Sequence, residues 1–197
     1  GGLAKGQIVR EIDVLGGIVG LAADFAGLQF KLLNRSKGRS VWSPRAQTDK
    51  RIYENYVLQL VETSENLTLV TGEVVDIVNS CGSVSGIVLR NGEQVTCKSL
   101  VITCGTFLNG LIHIGNRKIP AGRMGESNSV GITEALINYG LKAGRLKTGT
   151  PPRLLKETIN WKKLDTIIGD KDPVPFSYRT QNFNPPNIPC HIARTTA

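Results

Sequence analysis

Cysteine and histidine are scarce in this 197-residue chain, with four of the former and two of the latter. Cys81, Cys97, Cys104 and Cys190 form no C-x-x-C pair. His113 and His191 stand in no cluster of ligand residues, which argues against a metal site. Scattered thiols without a disulfide framework fit a reducing compartment, and the expected location is the cytoplasm. No run approaches the ~18 apolar residues of a membrane span. There is no G-x-G-x-x-G fingerprint, no nucleophile elbow, no H-E-x-x-H and no close carboxylate pair for acid–base work. The chain opens Gly1-Gly2-Leu3-Ala4-Lys5, with neither an initiator methionine nor a signal peptide, so it is expected to be an internal piece of something longer.

What is present is positive charge. The formal net charge is +8, with a sequence pI of about 9.5. Within residues 140–163 lie Lys142, Arg145, Lys147, Arg153, Lys156, Lys162 and Lys163, opposed only by Glu157, so this stretch carries a net +6 of the total. Charge gathered in one stretch suits a polyanionic partner such as nucleic acid better than a diffuse excess does.

Apolar spacing predicts one helix over residues 5–26, through Ile8, Ile12, Leu15, Val19, Ala22 and Ala23, stopped by Gly27. A strand follows over 28–33 and a polar loop over 34–39. A second helix is expected from Pro44 to about Glu62, capped by Ser43. Strands are predicted over 67–70, 73–78, 83–90 and 94–103, with Asn91-Gly92 as a two-residue hairpin turn. Beyond Gly105 come a long glycine-bearing loop to about Asn128, a short helix over 131–139, a basic strand over 143–147 and a proline-rich end. A boundary is placed within 105–109, dividing the chain into 1–107 and 108–197.

Three segments could carry chemistry. The strand-to-turn Val101-Ile102-Thr103-Cys104-Gly105-Thr106 ends in residues small enough for a dinucleotide to approach the backbone, although a plain strand-ending turn explains it equally well. Arg45 and Asp49, four apart, would share a helix face, and Arg45 in a first turn would call for an anion; a solvated helix start is the plainer alternative. In Gly144–Arg153, Arg145 and Lys147 would face one way beside a stiff Thr-Pro-Pro turn, a fixed surface for phosphates. It is not a P-loop, because Thr150 stands where the lysine should be.

Taken in order, Gly1–Gly6, Asn34–Gly38 with Arg45–Arg51, Cys104–Gly110, His113–Gly115, Ala121–Arg123 and the decapeptide GRLKTGTPPR over 144–153 resemble the tRNA uridine-5-carboxymethylaminomethyl modification enzymes, the glucose-inhibited division protein A family. The resemblance spans almost the whole chain. It implies an α/β fold, part of a glutathione-reductase-like FAD-binding domain with an inserted mixed α+β second domain. It also implies a homodimer that modifies the wobble uridine of tRNA with a GTPase partner, using NADH and methylenetetrahydrofolate. Carried over motif by motif, Val74 and Ser129 would touch FAD, with Thr103, Gly105 and Thr106 as further contacts. Arg145, Lys147 and Arg153 would face the tRNA, an assignment made from charge. The family's glycine fingerprint and both catalytic cysteines have no counterpart here, and Cys190 matches a recurrent cysteine that is not catalytic. No catalytic residue is therefore expected within residues 1–197, and on their own they should bind FAD weakly or not at all. Rival readings are a folate-dependent tRNA 5-methyluridine methyltransferase-like flavoprotein, expected to lack GRLKTGTPPR, a non-catalytic RNA-binding module, and a small-molecule flavin oxidoreductase.

Overall fold

The apolar stripe at the start of the chain is interrupted by adjacent glycines, and two helices form where one was expected. Helix α1 (Lys5–Val14) ends at Leu15 and α2 (Val19–Phe25) follows. Gly16 turns the chain at φ +94°, a left-handed conformation that a side chain disfavours. The Gly16 and Gly17 amides then donate to Asp13 and Ile12 carbonyls, closing the end of α1. In this computed structural model residues 4–123, 125–149 and 154–194 are described.

Strand β1 (Gly27–Leu33) pairs antiparallel with β2 (Ser43–Thr48). The helix expected from Pro44 starts six residues later, as α3 (Lys50–Thr63). Two features decide this. Pro44 lies opposite Leu32 in a two-stranded sheet, whose open edge tolerates a missing N–H. Asp49 supplies the cap instead of Ser43, which lies in β2, by accepting the amides of Arg51 at 2.8 Å and Ile52 at 3.1 Å. Arg45 and Asp49 consequently share no helix face. Arg45 stands opposite Lys31 on β2 and donates to Gln29 Oε1 at 3.2 Å.

Strands β3 (Val74–Ser80), β4 (Ser83–Leu89) and β5 (Gln94–Thr96) form an antiparallel sheet in that order. The β3–β4 turn is Cys81-Gly82, both at positive φ as the tight primed turns require. The β4–β5 turn is longer than the two residues expected. It spans 90–93, only Gly92 has positive φ, and Leu89 donates to the Glu93 carbonyl at 2.8 Å. Neither 67–70 nor 97–103 forms a strand among the described residues. Pairing beyond β5 stops after the Cys97 amide, which donates to the Ser85 carbonyl at 2.9 Å, and Val101 is 84 % exposed.

The expected long loop contains a hairpin of β6 (Leu111–Ile114) and β7 (Arg117–Pro120). Helix α4 (Ile132–Asn138) lies where the spacing placed it. Its Ile132 and Ala135 bury against Ile77 of β3, with Val74, Leu100 and Leu108 packed around them. Tyr139 completes the contact by donating its hydroxyl to the Ile77 carbonyl at 3.1 Å. Gly131 approaches β3 so closely that a Cβ would lie 2.2 Å from the Val75 carbonyl oxygen. The basic strand expected over 143–147 does not form. That stretch joins no sheet, and Leu146 is wholly exposed.

The proline-rich end carries more structure than its composition suggests. Strands β8 (Asp165–Ile167) and β9 (Cys190–Ile192) pair antiparallel. The segment is hydrogen-bonded to β1: Asp170 donates its amide to Phe30, Ile188 to Leu28, and Leu32 donates to the Asp170 carboxylate at 2.8 Å.

The chain divides into two compact units, Gly1–Leu69 with Pro152–Ala197, and Val70–Pro151. These cuts differ from the boundary placed at 107/108 because residues 108–139 bond to the β3–β5 sheet, while 165–192 return to β1. The mixed α/β content is as expected. Among the described residues no helix is long and apolar enough to cross a membrane.

Candidate functional site

The unit of residues 70–151 contains a cleft of about 470 Å³. One wall is Gly72, Glu73 and Val74, leading into β3, with Ile87 of β4 beside them. A second wall is the segment Leu100–Cys104, and the third is Phe107, Leu108, Ser127–Ser129 and Ile132. The lining is mostly aliphatic and aromatic, with the polar groups of Glu73, Thr103, Asn128 and Ser129 among it. That is the usual character of a site for a flat organic ligand.

Backbone pairing fixes the third wall. Ser129 donates its amide to the Phe107 carbonyl at 2.9 Å, and its carbonyl accepts the Asn109 amide at 2.8 Å. Asn109 sits at φ +45° and its side chain donates to Glu134 Oε1 at 2.9 Å. The other Glu134 oxygen accepts the Gly131 amide at 3.1 Å, fastening the start of α4. The Asn109 side chain first, and then backbone amides including that of Gly131, hold the Glu134 carboxyl below its ordinary value.

Arg90 grips Glu73 with two hydrogen bonds, Nε to Oε2 at 2.5 Å and Nη2 to Oε1 at 2.6 Å. The Arg90 amide also donates to the Glu73 carbonyl at 2.8 Å. This fork holds the Glu73 carboxyl below its usual range against a smaller opposing effect of burial, with the Val130 amide and Ser129 hydroxyl assisting. The same contact raises Arg90 further. The cleft thus has a neutralised charge pair at its edge.

Of the residues expected at a flavin, Val74, Thr103 and Ser129 line this one cleft. Gly105 and Thr106 do not line it; they form the exposed turn just beyond Cys104, with Gly105 at φ +60°. Arg145 donates to the Asn109 carbonyl at 3.0 Å, so it is anchored to the residue that pairs with Ser129. Lys147 is exposed, and Arg153 lies outside the described residues. The basic run over 140–163 is split between the two compact units.

Reasoning from the sequence missed Glu73 and Arg90. A signal existed: a tight turn at Cys81-Gly82 sets residue 73 opposite residue 90. Among the described residues, no three His, Cys, Asp or Glu side chains gather closely enough to hold a metal ion.

Comparison with known proteins places these features in a family. The family model described as Glucose inhibited division protein A matches residues 1–197. The tRNA uridine 5-carboxymethylaminomethyl modification enzyme MnmG of Thermodesulfovibrio yellowstonii is 50% identical over 195 residues, covering 99% of this chain and 31% of that protein. The protein of the same name from Geobacter sulfurreducens is 45% identical over 195 residues, again covering 99% of this chain and 31% of that protein. Two crystal forms of Aquifex aeolicus GidA superpose with TM-scores of 0.89 and 0.90 at 43% identity, over 96% of this chain and 33% of theirs. The chain therefore spans about a third of the length of these relatives.

Proposed function

The chain belongs to the glucose-inhibited division protein A family, and from that premise we propose that it supplies part of the flavin-binding and tRNA-facing framework of an enzyme that modifies the wobble uridine of tRNA. The observation that carries the reading is the single cleft joining Val74, Thr103 and Ser129, three residues far apart in sequence. Such a convergence is what a shared ligand would require.

The residues present fit part of an FAD. Val74, Ile87, Phe107 and Ile132 offer apolar surface to a ring system, while Thr103, Asn128 and Ser129 offer hydrogen-bonding groups at its edge. When bound, the flavin supplies hydride chemistry. The chain's own part would be to cover the ring with apolar surface, with Arg90 neutralising Glu73 so that no unpaired carboxylate lines the cleft. No described residue is assigned a catalytic step. The full-length protein would then take electrons from NADH and carbon from methylenetetrahydrofolate, as a cytoplasmic homodimer with a GTPase partner. Arg145 and Lys147 would face the tRNA, with Arg153 in the same role by sequence.

Nucleoside mass spectrometry of bulk tRNA from cells lacking the gene tests this. Loss of the carboxymethylaminomethyl or aminomethyl wobble uridine, with 5-methyluridine intact, is the expected result. Unchanged wobble nucleosides would overturn the reading, and loss of 5-methyluridine instead would assign the protein to the methyltransferase class.

A further inference from the structure

Most of the basic residues over 140–163 are separated from any aromatic side chain along the chain, but those closing the run are not. In the unit formed by 1–69 and 152–197, the short turn Trp161–Lys163 carries an indole followed directly by two exposed lysines. Trp161 is 42 % exposed although it belongs to the residue type with the most apolar area to bury. It is held rather than loose: His191 of β9 packs edge-on against it, with centroids 4.9 Å apart. The His191 backbone is fixed in turn by the pairing of Thr166 with His191 across β8 and β9. Among the described residues neither Lys162 nor Lys163 has an acidic group within ion-pair distance, and Lys156 nearby in sequence is also exposed.

A braced, half-exposed aromatic ring beside uncompensated cations is the arrangement that holds unpaired nucleotides. The base stacks on the ring while the cations take the phosphates, and stacking of this kind tolerates any base. A ring meant only for a protein core would not be expected among free lysines. We infer that Trp161, braced by His191 and followed by the exposed Lys162 and Lys163, is a stacking platform for an unpaired nucleotide of the bound RNA. The inference rests on the reading that the protein acts on tRNA, and it names one surface on which that RNA is gripped.

The test uses the full-length protein and unmodified tRNA, with dissociation constants measured across a salt series. Trp161→Ala is expected to weaken binding about 10-fold with the salt slope unchanged, because a stacking contact releases no counterions. Trp161→Phe, which still stacks, should recover most of the loss. Lys162→Ala with Lys163→Ala should lower the slope by about 0.7 per lysine. Wild-type affinity in Trp161→Ala overturns the inference, as does Trp161→Phe binding no better than Trp161→Ala. If the alanine variant fails to fold, ultraviolet cross-linking of the wild-type protein to tRNA decides: cross-links within 156–163 support the platform, and their absence there overturns it. Failure of the wild-type protein to bind tRNA at all would sink the tRNA reading itself, a distinct result.

Discussion

The buried carboxylate of Asp13 accepts the hydroxyl of Ser177 at 2.6 Å, joining helix α1 to a loop 164 positions away. Tyr178 donates its amide to the same carboxylate at 2.9 Å and Arg179 its guanidinium at 3.0 Å. Asp24 of α2 does likewise for the amides of Phe176 and Ser177 and the hydroxyl of Thr180. Two aspartates thus hold one loop, each accepting three donors from it.

Removing one of them should be costly. Asp13→Ala leaves a hydroxyl, an amide and a guanidinium without their acceptor, an expected loss of about 3 kcal/mol. Amide hydrogen exchange in the full-length protein should show residues 176–180 losing protection. Burial pushes the Asp13 carboxyl up, but Ser177, Arg179 and Tyr178 together overcome it and hold the group below its ordinary 3.8. A lowered folded value means that the contribution is complete above 3.8 and is lost as pH falls from there through the folded value. Asp13→Asn should therefore flatten the acid limb of the stability profile over that window.

Asp49 is the start signal of α3, since its carboxylate takes two of the helix's orphan amides. Asp49→Ala should cost about 1 kcal/mol, read as a fall in urea midpoint, and Asp49→Ser should recover most of it. Equal destabilisation by serine would mean that the capping bond is not what matters.

Arg90→Met should leave Glu73 charged and unneutralised at the cleft edge, and its carboxyl should rise toward the ordinary range. Bound flavin per full-length protein is expected to fall several-fold at neutral pH. Adding Glu73→Gln to Arg90→Met should restore it, as the offending charge is then gone. A double variant no better than the single one would mean that Arg90 acts through packing alone.

The parts of this fold legible in the sequence are those whose signal is local. Helix α4 and strand β4 follow from spacing and turn residues that nothing distant overrides. Where the local signal was ambiguous, neighbours decided. Gly16-Gly17 lies within an apolar stripe that hides the break, and Pro44 suits an open strand edge as well as a first helical turn. Of the strand expected over 94–103, residues 94–96 form β5 and Cys97 adds one bond to Ser85, while 98–103 join no strand among the described residues. The cleft was legible only through family resemblance: no periodicity links Val74, Thr103 and Ser129, which meet because α4 and the 107–109 segment fold against β3. Glu73 and Arg90 were missed because the Cys81-Gly82 turn that pairs them was not recognised.

The most direct test of the account is the flavin content of the purified full-length protein, wild type against Val74→Asp, read from visible absorbance at matched thermal stability. A charge placed in the apolar lining should cut bound flavin by at least about tenfold, since nothing there would pair with it. Wild-type protein carrying flavin and Val74→Asp lacking it is the predicted result. Undiminished flavin in Val74→Asp would contradict the assignment of this cleft.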